Sequence, residues 1–410
     1  MSIDTRKINK DEMYFSLKGD NFDGNVFAME AIEKGAKFSI VDDLEQKDIH
    51  DNIFYVENSL KALQDLSNHH RSLFDTKVIG ITGSNGKTTT KNLIYSILSQ
   101  KYNVIKTKGN LNNHIGVPLS LLNIKDDIDV AIIEMGANHV GEIKRLCEIA
   151  MPDIGLITNY GYAHLEGFGS FEGVIKGKTE MYEYLTENYG HIILNNDDKL
   201  QVENCKGDLA VTFGSNKDSE FIFDYKKDNS SLKLKIDGYE FNSNLFGEYN
   251  FSNLASSITI GKFLDLSNKE IQEGLNKFLN DSNRSEILIF DSNKIYLDAY
   301  NANPTSMLAA ISNFENININ NRVLILGDMF ELGEYSDQEH QKIVDFVTNK
   351  DYSKIYLVGD NFSKCNTDGE YFFKFSNTNE LAQSDSFKSL KNMNILVKGS
   401  RGVSLEKLFK

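Results

Sequence analysis

The sequence predicts an α/β protein of three domains. Its 410 residues exceed the size at which one hydrophobic core usually stops growing, so two or three domains are expected. Short apolar runs of β type recur between segments of helix length, a pattern typical of parallel sheets covered by helices. Changes in this pattern predict a small α/β domain over 1–76, a central parallel-sheet domain over 77–283 and a Rossmann-like domain over 284–410.

The central domain is expected to begin with a strand, a loop and a helix. Residues 78–82 form a short apolar run, and apolar residues recur at helical spacing between 88 and 100. Further apolar runs predict more parallel strands at 130–135, 154–158 and 192–194. Between 209 and 246 apolar and polar residues alternate before an Asp237-Gly238 turn, which predicts an appended β-hairpin.

The two outer domains have weaker patterns. The first mixes short extended runs with Gly-Asp and Asp-Gly turns, as in 18–24, and is interpreted as a small α/β unit. In the last domain the apolar runs at 323–326, 355–358 and 395–397 are separated by segments of helix length. This spacing predicts a Rossmann-like sheet.

Composition and charge exclude several classes of protein. The net charge of −15 argues against a nucleic-acid scaffold that neutralises phosphates broadly, so any phosphate should be bound locally. No run approaches the roughly 18 apolar residues of a membrane span, and the first residues lack the apolar core of a secretory signal, so we expect a cytoplasmic protein. The three cysteines are widely separated and are expected to be small buried residues.

A phosphate-binding loop is predicted at the first strand-to-helix junction of the central domain. Residues 82–88 read Thr-Gly-Ser-Asn-Gly-Lys-Thr, and in this position Gly83, Ser84, Asn85 and Gly86 would present backbone N–H groups to phosphate oxygens. Lys87 would contact the terminal phosphates and Thr88 would offer its hydroxyl to Mg²⁺. Ile81 stands where the general motif has its first glycine, so the loop is a shortened variant. The pattern indicates ATP or GTP; the alternative is a glycine-rich turn that binds nothing.

Two further residues are candidates for the metal. Mg²⁺ prefers hard oxygen ligands, and Glu134 closes a predicted buried strand beside the loop. His164 also follows a predicted strand and would lie at the same carboxyl edge of the sheet. As isolated residues, however, Glu134 could be a solvated edge residue and His164 a structural histidine.

Taken together, these motifs resemble those of the Mur ligases, the cytoplasmic enzymes that build the peptide of the bacterial cell-wall precursor. The resemblance covers nearly the whole chain. The run from Thr82 to Thr89 matches the family's form of the loop, and Glu134 and His164 match its two magnesium positions. The resemblance implies an ADP-forming ligase that uses ATP and Mg²⁺, with Lys87, Glu134, His164 and Lys178 at the catalytic centre.

The resemblance also implies roles for residues that the motifs above do not reach. Lys178 aligns with a lysine that is carbamylated and helps to order a second magnesium; an ordinary surface lysine is the alternative. Asn250 and Asn253 align with residues near the adenine, although Tyr249 replaces a commonly seen histidine. Arg284 resembles an arginine that moves onto ATP, and Asp298 an acid that contacts the ribose; both are equally compatible with surface charges.

Within the family, the stretches 298–304 and 327–333 are most similar to those of the member that adds D-alanyl-D-alanine to UDP-N-acetylmuramoyl-tripeptide through an acyl phosphate. We expect a monomer, and the resemblance implies substrate-binding residues in three groups. The dipeptide would meet the third domain, the uridine nucleotide the first domain, and the sugar and pyrophosphate an Asn-rich loop for which a simple turn is the alternative. The residues are Tyr300, Asn301 and Asn303; Thr5, Arg6, Lys18, Asp23 and Gly24; and Asn110, Asn112 and Asn113.

Some departures and rivals remain. Thr5 replaces a usual serine and Asn25 a usual histidine, and the chain begins almost at the first motif, so the first domain is expected to be trimmed and uridine affinity to differ. The nearest rivals are the preceding Mur enzyme and folylpolyglutamate synthase, which share the loop and metal residues. The run 301–304 argues against both. A more distant rival is a nucleotide-operated regulatory module.

Overall fold

A computed structural model describes residues 1–226, 232–245, 247–279 and 286–409. In the first of the predicted domains, three parallel strands pair in the order β1-β4-β5, and β2 and β3 form a short antiparallel hairpin. The expected small α/β unit is confirmed. Its elements are β1 (Met13–Phe15), β2 (Lys18–Gly19), β3 (Phe22–Asp23), α1 (Ala28–Glu33), β4 (Phe38–Val41), β5 (Ile53–Tyr55) and α2 (Ser59–Ser72).

A seven-stranded parallel sheet follows. Its strand order is β12-β11-β10-β9-β6-β8-β7, and β6 lies between β9 and β8. The elements of this part are β6 (Lys77–Thr82), α3 (Lys87–Leu98), β7 (Val104–Lys106), α4 (Gly116–Leu121), β8 (Val130–Glu134), α5 (Glu142–Ala150), β9 (Ile154–Ile157), α6 (Leu165–Phe168), α7 (Phe171–Glu187), β10 (His191–Asn195), α8 (Lys199–Asn204), β11 (Ala210–Gly214), β12 (Phe221–Ile222), β13 (Asp224–Lys226), β14 (Lys233–Ile236), β15 (Tyr239–Asn242), α9 (Phe251–Phe263) and α10 (Asn268–Lys277).

Helices cover both faces of this sheet, as the apolar runs predict. Along β6, Val78 packs into a core formed with α4, α5 and α7, while Ile79 packs into a second core formed with α3, α9 and α10. Both side chains are fully buried. Consecutive strand residues point to opposite faces, so a strand buried on both sides has no polar alternation.

The predicted β-hairpin is part of a larger arrangement. The two-residue turn at Asp237 and Gly238 joins β14 to β15, with φ of 51° and 80°. Leu234 and Ile236 are buried, as the alternation predicts. However, β13 adds a third antiparallel strand, and β11 and β12 extend the parallel sheet instead. The hairpin prediction was therefore incomplete, because a period of two identifies the buried face of a strand and not its neighbours.

The last part of the chain forms a six-stranded sheet in the order β16-β17-β21-β18-β19-β20. It is parallel except for β16, which pairs antiparallel with β17 at one edge. This agrees with the Rossmann-like prediction. The elements are β16 (Glu286–Phe290), β17 (Asn293–Asp298), α11 (Pro304–Asn316), β18 (Arg322–Gly327), α12 (Ser336–Val347), β19 (Lys354–Val358), α13 (Asp360–Lys364), β20 (Phe372–Phe375), α14 (Thr378–Gln383), α15 (Asp385–Lys388) and β21 (Asn394–Lys398).

Among the helices of the described residues, none combines the length and apolar character needed to cross a bilayer.

All three cysteines are free thiols. Cys147 and Cys365 are buried as expected, whereas Cys205 is half-buried.

The contact between α10 and α3 depends on a glycine. A Cβ atom at Gly274 would lie 2.5 Å from the Ile97 Cα and 2.7 Å from the Ser96 carbonyl oxygen, both backbone atoms that cannot turn away. We expect Gly274→Ala to destabilise the protein by about 2 kcal/mol despite alanine's higher helix propensity. Urea unfolding would measure the change. Gly19→Ala, which places its Cβ in open space, is the control and should change stability by less than about 0.5 kcal/mol.

Candidate active site

A cleft of about 1040 Å³ lies where the carboxyl edges of the two large sheets face each other. The central sheet contributes the loop after β6, the end of β8 and the Asn-rich loop. The last sheet contributes the residues that follow β17, β18 and β21. Open α/β sheets bind ligands at this edge. The residues that line it include Ser84, Asn85, Gly86, Lys87, Thr88, Thr89, Asn110, Asn112, Asn113, Glu134, His164, Asn250, Asn253, Asp298, Tyr300 and Asn301.

The predicted phosphate loop needs its two glycines. Gly83 has φ of 136°, and a Cβ there would lie 2.0 Å from the Thr158 hydroxyl. Gly86 has φ of 84° and caps α3, and its Cβ would lie 2.4 Å from the Asn253 side-chain oxygen. Lys87 Nζ donates to the Gly83 carbonyl at 2.5 Å, so the cation lies over the loop. Of the amides predicted to face phosphate, those of Ser84 and Asn85 instead donate to the backbone and side-chain oxygens of Asn159. The N-terminus of α3 and Lys87 therefore form the candidate anion site.

Glu134 is a buried charge with three partners. Its side chain is 3% exposed, and it accepts from the Thr88 hydroxyl at 3.1 Å and the Asn112 amide at 2.9 Å. Lys91 Nζ lies 2.9 Å from the same carboxylate. Burial would raise the pKa of Glu134, but the charges of Lys91 and Lys87 and these hydrogen bonds outweigh it, so the pKa lies below its usual value. Glu134 is thus not a solvated edge residue.

Sequence reasoning missed Lys91. It follows Lys87 by one helical turn, its side chain is 2% exposed, and its Nζ also donates to the Gly109 carbonyl at 3.0 Å. Lys91 therefore connects the Asn-rich loop, which precedes α4, to the carboxylate of Glu134, the candidate metal ligand. The one signal in the sequence was its four-residue spacing from Lys87, which places both lysines on the same face of α3.

The chemistry of the donors around Glu134 suits Mg²⁺. The Thr88 hydroxyl and the Glu134 carboxylate are hard oxygen donors in contact with each other. No cluster of three or more His, Cys, Asp or Glu side chains able to hold a metal occurs within the described ranges. Mg²⁺ is commonly held by one or two protein groups while substrate phosphates and water complete its shell, so this sparse set fits that ion.

His164 and Lys178, the other two residues predicted at the catalytic centre, are not among the hydrogen-bond partners of Glu134. His164 lines the cleft, and its Nδ1 contacts the carboxylate of Glu331 from the opposite side. The hydrogen bond with His164 lowers the pKa of Glu331. Lys178 lies outside the cleft lining and is 1% exposed, with its amine 5.2 Å from the Phe168 ring centroid. Burial, and then the charge of Lys87, hold the pKa of Lys178 well below its usual value.

Three of the four residues predicted to bind the adenine or ribose of ATP, or to move onto ATP, line the cleft. Asn250 and Asn253 line the cleft beside Gly86, and Asn253 donates its amide to the Asn250 side-chain oxygen at 2.9 Å. Asp298 lies across the cleft and pairs with Lys398 at 2.7 Å. Arg284 lies outside the described residues.

The three residues predicted to bind the dipeptide differ in their surroundings. Tyr300 and Asn301 line the cleft. Asn303 is buried, caps the N-terminus of α11 and donates its amide to the Asn85 side-chain oxygen at 2.8 Å. It therefore connects the last domain to the phosphate loop. The sequence alone does not separate an asparagine that caps a helix from one that faces a ligand.

The candidates of the first domain lie outside the cleft lining. Lys18 lies 3.6 Å from Asp23 and 3.7 Å from Asp42 at the β2–β3 hairpin. Asn25, which departs from the family pattern, is buried and donates to both of these aspartates. Gly24 allows close approach to Leu17, Thr5 donates to Glu30, and Arg6 pairs with Asp4.

Comparison with known proteins gives the family. Three models match nearly the whole length: the Mur ligase family catalytic domain at 1–71, the Mur ligase middle domain at 81–261 and the Mur ligase glutamate ligase domain at 283–401. The chain belongs to the Mur ligase family. The resemblance found in the sequence is confirmed.

Individual relatives are similar over almost their full length. The UDP-N-acetylmuramoyl-tripeptide–D-alanyl-D-alanine ligase of Bacillus subtilis is 32% identical, covering 100% of this chain and 92% of the relative. The crystal structure of MurF from Acinetobacter baumannii matches with a TM-score of 0.90 at 28% identity, covering 99% and 91% of the two chains. MurF from Thermotoga maritima, solved with ADP, matches with a TM-score of 0.87 at 26% identity, covering 99% and 95%.

Removing the charge of Lys91 should destabilise the fold. Lys91→Met leaves the buried Glu134 carboxylate without its nearest counter-charge, and we expect a loss of about 3 kcal/mol at pH 7. Glu134 has a lowered folded pKa, so its ionisation stabilises the native state above its ordinary value of 4.5 and this contribution is lost as the pH falls. The deficit of the variant should therefore shrink toward pH 4, as measured by urea unfolding.

The control for this prediction is Lys61→Met. Lys61 pairs with Asp65, and both side chains are more than half exposed, so the loss should stay below about 1 kcal/mol. A deficit of Lys91→Met that is equal at pH 7 and pH 4 would show that lost packing, and not the unpaired carboxylate, causes the change.

Proposed function

We propose that this chain is an ATP-dependent ligase that joins D-alanyl-D-alanine to UDP-N-acetylmuramoyl-tripeptide, the last cytoplasmic peptide addition of peptidoglycan precursor synthesis. The main support for this proposal is that nearly the whole chain is similar to relatives named for this reaction. In addition, the phosphate loop faces the last domain across one cleft. The reaction forms an amide bond through an acyl phosphate and releases ADP and phosphate.

The first half of the reaction takes place at the phosphate loop. The amides at the N-terminus of α3 donate to the γ-phosphate, and the Lys87 ammonium offsets its charge as the substrate carboxylate attacks. Asn250 and Asn253 are assigned to the adenine, and Asp298 and Arg284 are assigned to ATP. The buried position of Asn250 and Asn253 beside Gly86 supports this assignment.

The metal assignment rests on the donors around α3. Thr88 and Glu134 would hold Mg²⁺, with His164 and the carbamylated form of Lys178 serving a second ion. Bound Mg²⁺ would neutralise charge on the phosphate oxygens. Lys91 and Asn112 hold the Glu134 carboxylate in one orientation at 2.9 Å each, so the ligand is positioned before any ion arrives.

The second half of the reaction needs an amine from the last domain. Tyr300 and Asn301 face the cleft from the residues after β17, and we assign them to the dipeptide. Asn303 holds this segment against Asn85, and the contact of Glu331 with His164 is a second link across the cleft. Such links keep the amine close to the activated carbonyl and exclude water, which would otherwise hydrolyse the acyl phosphate.

The remaining substrate contacts come from the first two domains. Asn110, Asn112 and Asn113 line the cleft and are assigned to the sugar and pyrophosphate. Thr5, Arg6, Lys18, Asp23 and Gly24 are assigned to the uridine nucleotide. The enzyme is proposed to act as a monomer in the cytoplasm, without nucleic acid or a membrane as partner.

Phosphate release tests the function. With ATP, Mg²⁺ and UDP-N-acetylmuramoyl-tripeptide, we expect release to require D-alanyl-D-alanine and to fall roughly 1000-fold in Lys87→Ala, because the γ-phosphate loses its cation. Lys77→Ala, an exposed lysine at the start of β6, is the control and should retain activity. In the same assay, ¹⁸O from a labelled tripeptide carboxylate should appear in the released phosphate.

The outcomes separate the rival functions. Release that ignores the dipeptide but follows another amino acid or acceptor would indicate a different ligase of the superfamily. Turnover of ATP without any acceptor would indicate a regulatory module. Absence of ¹⁸O from the phosphate would exclude the acyl phosphate.

Carbamylation of Lys178 can be observed directly. Carbon dioxide reacts with a neutral amine, and burial keeps the Lys178 amine neutral at a lower pH than an exposed lysine. We expect a carbamate signal in the ¹³C NMR spectrum of protein equilibrated with ¹³C-bicarbonate. The signal should be absent in Lys178→Met and unchanged in the control Lys176→Met, an exposed position on the same helix. Its persistence in Lys178→Met would contradict the assignment.

A further inference from the structure

Arg401 differs from the other cations that line the cleft. Lys87 lies over the phosphate loop, Arg145 pairs with Glu148 at 3.2 Å, and Lys398 pairs with Asp298 at 2.7 Å. Arg401 is exposed, and in the described part of the chain no carboxylate lies within ion-pair distance of it. It is therefore a cation of the last domain that remains available to an anionic ligand.

The backbone that carries Arg401 is held in place. Ser400 is buried, donates its backbone N–H to the Asp328 carbonyl at 3.0 Å and donates its hydroxyl to the Ala302 carbonyl at 3.3 Å. The Ser400 hydroxyl also accepts from the backbone N–H of Phe330 at 3.1 Å. These bonds fix the turn after β21 between the two other loops that the last sheet contributes to the cleft.

Neighbouring aromatic residues restrict the conformation of the Arg401 side chain and its turn. The guanidinium carbon of Arg401 lies 5.6 Å from the ring centroid of Tyr300, within the range of a cation–π contact. A Cβ at Gly402 would lie 2.6 Å from the Phe330 ring, so the turn packs closely against that aromatic side chain. The Arg401 side chain thus lies beside Tyr300 on a turn that packs against Phe330, and less side-chain entropy is lost when it binds a ligand.

The dipeptide needs such a group. D-alanyl-D-alanine has an amine at one end, which must reach the acyl phosphate at the phosphate loop, and a carboxylate at the other. Two extended residues span about 7 Å, so the carboxylate stays on the side of the last domain. Lys398 and His164, which also line the cleft, already contact the carboxylates of Asp298 and Glu331. A cation without a carboxylate partner is required there.

We propose that Arg401 binds the terminal carboxylate of D-alanyl-D-alanine. The planar guanidinium can donate two parallel hydrogen bonds to a carboxylate, which fixes its orientation as well as its position. This contact would place the amine toward the acyl phosphate and would select acceptors that end in a free carboxylate. The inference rests on the proposed function.

The test compares two acceptors, D-alanyl-D-alanine and D-alanyl-D-alaninamide, which lacks the charge. For Arg401→Gln we expect the KM for D-alanyl-D-alanine to rise about 10- to 100-fold, the loss typical of a hydrogen-bonded charge pair. The KM values for ATP and UDP-N-acetylmuramoyl-tripeptide and the kcat should stay within about threefold. The wild-type preference for the carboxylate over the amide should disappear, and Arg401→Lys should retain part of it.

Lys407→Gln is the matched control, because Lys407 is an exposed cation of the same terminal segment that does not line the cleft. It should keep the wild-type preference. An Arg401→Gln variant that keeps this preference, or that loses both acceptors equally, overturns the assignment, as does a KM increase confined to ATP. If the wild-type protein does not ligate D-alanyl-D-alanine at all, the proposed function itself fails, so the two failures are distinguishable.

Discussion

The buried carboxylate of Glu134 is the constraint on which the rest of the active site depends. A charge in that position must be paired, and the partners of this carboxylate, which ends β8, come from two places: α3 through Thr88 and Lys91, and the Asn-rich loop through Asn112. The hydrogen bonds and the ion pair of this one carboxylate therefore fix α3, the Asn-rich loop and the end of β8 relative to one another. Lys91 also holds the Gly109 carbonyl, so it joins the Asn-rich loop to this centre.

Steric requirements act on the same elements. Gly83 and Gly86 each lie against a neighbouring side chain too closely for any Cβ, and both have positive φ. Near the C-terminal end of α3, Gly274 allows α10 to approach that helix. Packing against α3 and hydrogen bonds at its N-terminal end therefore position the phosphate loop together. Such preorganisation keeps the cost of reorganisation low during phosphoryl transfer.

The cleft is formed by parts of the chain that are distant in sequence. The carboxyl edges of two sheets face each other, and Asn85–Asn303 and His164–Glu331 bridge them. For a two-step ligase this arrangement has a clear use, since the phosphate loop and the residues assigned to the dipeptide lie on different sheets. Closure then brings the amine to the acyl phosphate while excluding water. The turn at Ser400 and Arg401 belongs to the same edge and supplies a cation where the acceptor's far end would lie.

The sequence by itself determined the three-part α/β architecture, the phosphate loop and the identity of Glu134 as a strand-end acid, because these depend on local periodicity and on short motifs. Only the tertiary structure decided that Lys91 pairs with Glu134, that Asn303 caps a helix against Asn85, and that Lys178 is buried away from the cleft lining. It also decided that β13 joins the expected hairpin. These features depend on contacts between residues far apart in the chain, and a residue's type and spacing do not specify which distant group it will meet.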